Sequence, residues 1–482
     1  MQLLRSVKEY KLQCFNPYNK SNRDHVLIHC YFRFLLPTLH IKMVLGRHTD
    51  SQRWKALKSL PTDLYNSFQG IISRIRDFTN IRMQVLMWIH FAYRPLKIAE
   101  LQHALAIEKD QTKFDKYNIY LLKVLLDSCL GLVVLDEEIL TVRFMHYTLQ
   151  EYFDRYSKEE FPNGCSSIAE TCLTYLNFRE LRQHYMNLEN LQGNMKKYAL
   201  LNYATLYWGA YAKEYYDDGL TDLANILLDH ESKHPPCDIQ ALYLELVDNN
   251  DLSSEQPIQK FSGVHVVAYF GLSRNMVHLC KTKRHIELKD ESGRTPLSWA
   301  AEYGHRSIVD ILIKRAEVDF NSQDDKYKKT PLCWAVEAGH EDVVQLLINI
   351  DDVDINSKDD RGQTPLILAA QKENEAVVQL LIKRDDVDIN SKDDHGQTPL
   401  MFAAANGCEA IVKLLIERDS IEINAMDKNR WTPLIWAVRE GHEAVVRLLV
   451  NRDDIDINAK GNRGRTPSLG LLRWGERLLY NC

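Results

Sequence analysis

Residues 357–366 read SKDDRGQTPL and residues 391–400 read SKDDHGQTPL, one change in ten positions at a spacing of 34. Thr-Pro-Leu itself stands at 295–297, 330–332, 364–366, 398–400 and 432–434, in steps of 35, 34, 34 and 34, and Thr466-Pro467-Ser468 continues the series. A fixed period of this size marks a solenoid of stacked supersecondary units. Within one unit, Leu366, Ala369 and Ala370 lie at i, i+3 and i+4, and Val377, Leu380 and Leu381 repeat that spacing. Each unit is therefore expected to hold two short helices with one apolar stripe apiece, neither of which can be buried alone.

Proline is tolerated at the first helical position because its missing N–H would be unpaired there, and the preceding threonine can cap the free amides. Thr-Pro-Leu is thus a helix start. Gly304, Gly339, Gly407 and Gly441 fall between the two helices, where a left-handed residue lets the chain reverse. The third unit has Glu373-Asn374 instead, with asparagine expected to stand in for glycine. After the second helix come DVDIN, DVDIN, IEIN and DIDIN, alternating polar and apolar and expected to form a β-turn or hairpin finger.

These residues resemble the ankyrin repeat: Gly-x-Thr-Pro-Leu, an Ala-Ala or Ala-Val pair, Gly304-His305, Gly339-His340 and Gly441-His442, then Val343-Val344, Val377-Val378 and Val445-Val446. An earlier copy, Ser262-Gly263-Val264-His265 with Ala268 and Gly271, precedes Thr295 by 33 residues. The histidine usual after Thr-Pro-Leu is replaced by Ser298, Cys333, Ile367, Met401 and Ile435, which is expected to loosen hydrogen bonding between neighbouring loops. In the last unit Leu471-Leu472 fill the small Ala-Ala slots, so this half-repeat is either a cap or the end of a truncated gene model.

The first half reads differently. From Thr62, Tyr65, Phe68, Ile72 and Ile75 share one helical face; WIHFAYRPLKIAELQHAL reads helix, proline turn, helix; a third helix follows at YLLKVLLDSCL; and GLVVLDEEILTVRFMHYTLQEYF reads strand, acidic turn, strand, helix. Three helices and a two-stranded wing suggest a winged helix. Residues 61–157 hold 11 Lys/Arg against 12 Asp/Glu, a balance that disfavours contact with DNA.

The order of these motifs resembles the fungal NACHT-ankyrin proteins, STAND-class signalling NTPases related to NOD-like receptors. KALKSLPTDLYNSF is similar to the junction after the NTPase, FAYRPLKIAELQHAL to the winged-helix segment, and LLNYATLYWGAYAKEYY to the helical segment before the repeats. The chain departs from that family in having no G-x-x-x-x-G-K-[ST] phosphate loop, so the family's nucleotide hydrolysis is not carried over. The fold implied is mainly α: residues 1–50 unassigned, a winged-helix-like module at 51–158, a helical connector at 159–258, and about six ankyrin repeats plus a terminal half-repeat at 259–482.

Composition narrows the function further. The chain has 482 residues, 45% apolar, with net charge −6 and no block of five or six consecutive cations, so it is foldable and a general grip on nucleic acid is not indicated. Its ten cysteines are scattered without a C-x-x-C pair or zinc spacing, and its start lacks a signal-peptide core, which together point to the cytoplasm. His25–Leu45 is interrupted by Arg33, Pro37 and Lys42, a poor membrane span. His146 beside Tyr147, Cys165 with Cys172, the repeat histidines and the paired acids at 351–352, 385–386 and 453–454 all fit structural roles better than catalytic or metal sites, and no cofactor is expected.

The expected function is a non-catalytic protein-interaction scaffold or sensor arm of a STAND-type regulator. The alternatives are part of a NACHT NTPase whose nucleotide-binding domain is missing from the gene model and, against the charge balance, a DNA-binding regulator. Residues 291–462 hold 21 Lys/Arg and 32 Asp/Glu, so a basic partner, contact between the two halves, and plain solubility are competing accounts of that charge. The protein partner is expected on the concave side, at Tyr303, Lys326, Tyr327, Arg361 and Lys372, and at His395, Asn406, Arg430, Trp431 and Arg439, a set rich in aromatic and arginine side chains. Trp299, Trp334 and Trp436 recur beside the alanine pair and are expected to pack between helices.

Overall fold

The computed structural model describes residues 64–76, 80–182, 193, 195–214, 218–228, 239–240, 242, 260–281 and 286–461. The N-terminal segment 1–50 and the half-repeat from Thr466 lie outside the described residues. The chain divides into two compact units, 1–175 with 195–207 and 176–194 with 208–482.

In the first unit, helices Leu64–Arg76, Asn80–Phe91, Ile98–Leu105 and Leu122–Ser128 surround a small antiparallel sheet. Phe68, Ile72 and Ile75 are buried on one helical face, as their spacing predicts. The wing is formed by β2 (Val133–Asp136) and β3 (Thr141–Phe144), with Val133 opposite Phe144. A third strand, β1 (Leu96–Lys97), corrects the simple proline turn expected there: it pairs with β3, Leu96 opposite Val142, giving the order β1-β3-β2. The reason lies in Arg94 and Glu100. The buried Glu100 carboxylate accepts two hydrogen bonds from the Arg94 guanidinium, at 2.7 and 2.8 Å, and a third from Lys97 N at 2.8 Å, which holds the segment extended before the helix begins.

In the second unit, six helix pairs follow one another at the repeat period: Gly263–Phe270 with Ser273–Lys281, Pro296–Glu302 with Arg306–Ile313, Pro331–Ala338 with Glu341–Ile348, Pro365–Gln371 with Glu375–Leu381, Pro399–Asn406 with Glu409–Ile416, and Pro433–Glu440 with Glu443–Val450. These are called repeats 1 to 6. The helix Asp218–Leu228 packs on repeat 1, where Asn225 accepts a hydrogen bond from Asn275 at 2.7 Å. Each Thr-Pro start behaves as predicted: the Thr295, Thr330, Thr364, Thr398 and Thr432 hydroxyls accept from the amide three residues on, at 3.2 to 3.4 Å.

The DxDIN segments are not strands. Asp354 accepts from Asn356 N at 3.0 Å, and the same turn recurs at Asp388 and Asp456, so the carboxylate takes the amide that a strand would have shared. The asparagine then joins the repeats. Asn356 donates to Asp386 O at 2.7 Å and accepts from Asp388 N at 2.8 Å, and Asn321, Asn390 and Asn424 repeat both bonds.

The missing histidine does not leave the upper loops without hydrogen bonds. Repeat 1 keeps it: His265 bonds Ser262 through Nδ1 and Leu288 O through Nε2 at 3.0 Å. Further along, Thr330 meets Ser357 at 3.2 Å and Thr364 meets Ser391 at 2.9 Å, linking consecutive repeats by hydroxyls instead.

Between the helices, Glu373, not Asn374, occupies the left-handed slot of repeat 4, with φ +60°; Asn374 accepts from Val377 N at 3.1 Å and caps the next helix. The histidine of the following repeat closes over the glycine: His340 Nε2 lies 2.8 Å from Glu302 O, and His442 Nε2 lies 2.8 Å from Ala405 O. A Cβ on Gly407 would sit 2.4 Å from the His442 ring, whereas one on Gly441 would meet nothing within 4 Å among the described residues.

Two stability predictions follow from these contacts. Both Gly407→Ala and Gly441→Ala incur the left-handed penalty, about 1–2 kcal/mol, but only Gly407→Ala adds overpacking, about 1–3 kcal/mol more. Urea unfolding should show that difference, and His442→Ala should narrow it; equal losses at the two glycines would contradict the packing. Burial holds the imidazoles of His265 and His305 down to about 4. A base with a lowered folded pKa binds fewer protons folded than unfolded, so this stability is full above pH 6.5 and is lost as the pH falls toward 4. Buried Asp290 and Asp359, whose carboxyls burial raises, act in the opposite direction. The urea midpoint of His265→Gln should therefore depend less on pH between 7 and 4 than that of the parent chain.

Candidate binding groove

Three positions of each repeat converge on one side of the solenoid: the residue before the threonine, the fourth after it, and the seventh after it. In repeat 2 these are Arg294, Trp299 and Glu302; in repeat 3, Lys329, Trp334 and Glu337; in repeat 4, Gln363, Leu368 and Gln371. The first and third side chains pair across the second. Arg294 bonds Glu302, Lys329 bonds Glu337 at 2.5 Å, and Gln363 donates to Gln371 at 3.3 Å. In repeat 6 the pairing becomes a stack, with the Arg439 guanidinium 4.6 Å from the Trp431 ring and 5.2 Å from that of Trp436.

The aromatic residues are clamped by cations. Arg294 lies 3.8 Å from the Trp299 ring and 4.3 Å from that of Trp334, and Lys329 lies 4.7 Å from the latter. Trp299 is buried, as its place beside the alanines suggests, and its Nε1 donates to Asp290 at 2.9 Å. Trp334 is also buried, as expected, and in addition its ring lines an open cavity of about 660 Å³ spanning repeats 2 to 4. Burial would raise the Glu337 carboxyl, but Lys329 and Lys372, the latter 3.6 Å away, hold it below its ordinary value.

The sequence-derived binding residues fall into several groups. Lys326, Tyr327, Arg361 and Lys372 line the cavity. Tyr303 is exposed, stacks against Trp299 at 6.1 Å and meets Tyr269 edge to face at 4.7 Å. Trp431 and Arg439 form the stack in repeat 6; Asn406 is exposed but tied to Gln371 O at 3.1 Å. His395 is exposed, and its carbonyl accepts from Lys428 N at 2.9 Å. Arg430 is exposed at a left-handed finger position, φ +60°, that Gly293, Gly362 and Gly396 fill elsewhere. Sequence reasoning missed Arg294, Lys329 and Glu337. The legible signal was the matched pair Arg/Glu, Lys/Glu, Gln/Gln at a separation of eight residues.

The other groups considered in the sequence sit in the scaffold. His146 accepts from Thr148 N at 3.2 Å and caps the helix Tyr147–Glu160. Cys172 is fully buried, which pushes its thiol up, away from the nucleophilic form. Asp386 and Asp454 pair with Arg384 and Arg452 on exposed loops. Among the described residues there is no cluster with the makings of a metal site, and no helix is long and apolar enough to cross a membrane.

The family model of ankyrin repeats (3 copies) matches residues 219–324, 264–359, 316–393, 349–427 and 376–461, together half of the chain. The model of the GPI inositol-deacylase winged helix domain matches residues 71–161. Among solved structures, the ankyrin repeat domain of Bcl-3, titled a unique member of the IkappaB protein family, aligns at 24% identity over 42% of this chain and 91% of its own, with a TM-score of 0.38. No curated protein sequence matches the chain.

Trp299→Phe removes a donor and leaves the Asp290 carboxylate short of a partner, which should cost about 1–3 kcal/mol. Trp334→Phe removes an N–H that is bonded to nothing, and should cost less than Trp299→Phe by about 1 kcal/mol or more. Urea denaturation of the two variants checks the contrast; equal losses would contradict it.

Proposed function

The chain belongs to the ankyrin-repeat family, and we propose that it is the protein-recognition arm of a STAND-type signalling regulator, binding its partner along the finger and first-helix side of the repeats. Ankyrin repeats make the chain a protein-interaction scaffold, and solenoids of this kind present an extended surface without catalytic chemistry of their own. The observation that carries the reading is the set of paired and stacked side chains at three repeat positions, which change chemical type from unit to unit while the stacking positions keep to leucine, alanine, valine and isoleucine. Leu366, Ala369, Ala370, Val377 and Val378 are taken up by the core, and their equivalents are too. The groove positions instead carry aromatic and arginine side chains, the types that contribute most interface energy.

The winged-helix match ahead of the repeats supports the regulator assignment, since this order is that of the NACHT-ankyrin architecture. On this reading the module at 51–158 and the connector at 159–258 lead into the repeats at 259–482, and the protein acts in the cytoplasm. Proximity labelling with the full chain would supply a partner. The triple variant Tyr303→Ala, Arg430→Gly, Trp431→Ala should weaken that partner's binding by more than about 1 kcal/mol and leave thermal unfolding nearly unchanged. A partner that binds the variant as tightly as the parent would move the interface off this side.

A further inference from the structure

Within the Thr-Pro-Leu series the spacing departs from 34 once. The step from Thr295 to Thr330 is 35 residues, where every later step is 34, and the extra residue lies in the finger that enters repeat 3. Asp290, Asp359, Asp393 and Asp427 stand five residues before their threonines, but Asp324 stands six before Thr330. Its carboxylate is drawn to Lys326 N, Tyr327 N and Lys329 N, at 2.6 to 3.0 Å, and Lys328 takes the left-handed position with φ +53°. The Trp299 N–H finds Asp290; the Trp334 N–H finds nothing. Arg294 Nε, between the two indoles, is also buried without a partner.

Both orphans are donors. Trp334 is 8% exposed and Arg294 9%, and both line the same cavity. Neither N–H has an acceptor among the described residues, and the carboxylates of the cavity do not supply one. Glu302 is held by Arg294, Glu337 by Lys329 and Lys372, and Asp324 and Asp359 by the amides of their own fingers. At the exposed rim, Lys326, Arg361 and Lys372 face a single exposed carboxylate, Asp360. The opening is of the size that holds a few side chains, within the usual several-hundred-Å³ range of ligand sites.

We propose that this cavity is the anchoring subsite of the groove and takes the carboxylate of an aspartate or glutamate from an extended acidic peptide segment. The proposal rests on the groove reading above and names the chemistry of its partner. It runs against the surplus of acid in residues 291–462, which would favour a basic partner, because the rim of this cavity is locally cationic. Trp436 Nε1 is likewise unpaired, but its ring is only partly buried, beneath Trp431 and Arg439.

The test is selection of phage-displayed random dodecapeptides on the full chain, followed by fluorescence polarisation with the enriched peptides. Enriched peptides should carry net negative charge. Their affinity should fall tenfold or more for the double variant Lys326→Glu, Arg361→Glu, and severalfold for Trp334→Phe. Replacing the peptide's own acidic residues by their amides should have the same effect, and this arm holds even if a protein variant folds poorly. Enriched peptides that are neutral or basic, yet lose binding to Tyr303→Ala or Trp431→Ala, would overturn the acidic ligand and leave the groove standing. Peptides indifferent to all of these variants, or no enrichment at all, would overturn both.

Discussion

Helices of seven or eight residues do not persist in water on their own, because nucleation costs more than so short a run of hydrogen bonds returns. Every helix of the six pairs is seven to nine residues long. Their stability must come from lateral packing, and the sequence is organised to provide it. Ala300 and Ala301, Ala369 and Ala370, and Ala403 and Ala404 are all fully buried, which brings neighbouring first helices close together. The asparagine ladder and, over Gly271, Gly304 and Gly407, the histidine of the following repeat then fix register at the two ends of the helix pair. None of these contacts lies within one unit, so the array is a chain of nearest-neighbour interfaces.

That division of labour leaves three positions per repeat on the groove side outside the stacking contract, free to differ from unit to unit. The residue before the threonine is Arg, Lys, Gln, Gln and Trp along repeats 2 to 6, while the threonine itself does not change there. A finger held by an aspartate that binds its own amides keeps its shape whatever the neighbouring side chain is. A change in finger length is met in the same way: with one extra residue before repeat 3, Asp324 still accepts from three amides of its own finger. The indole N–H is unpaired both there, at Trp334, and behind the finger of ordinary length, at Trp436.

The solenoid was legible because its signals are short-range and repeated: Thr-Pro caps, paired alanines, Gly-His reversals. The winged helix was legible in its helices and in β2 and β3, but not in β1, a two-residue strand that no periodicity can announce and that depends on the Arg94–Glu100 contact. The DxDIN segments misled for a related reason. Alternation of polar and apolar residues predicts a strand only when the backbone is free to pair, and here aspartate and asparagine side chains claim those amides first. At Glu373-Asn374 the residue types suggested asparagine for the left-handed slot, yet counting from the threonine places Glu373 there; position outweighed propensity.

Charge shows the limit of composition most clearly. A sum over residues 291–462 gives a strongly acidic array, but two of the populations in that sum lie away from the groove or are turned into the backbone. One consists of aspartates at loops on the far end of each unit, some already paired with Arg384 and Arg452. The other consists of finger aspartates whose carboxylates point into their own turns, held by backbone amides. At the cavity rim the exposed charged groups are Lys326, Arg361 and Lys372 beside the single carboxylate of Asp360. At separations beyond a Debye length of about 8 Å exposed charges are largely screened at physiological salt, so the surface a partner meets is set by the few groups beside it and not by the total for the array.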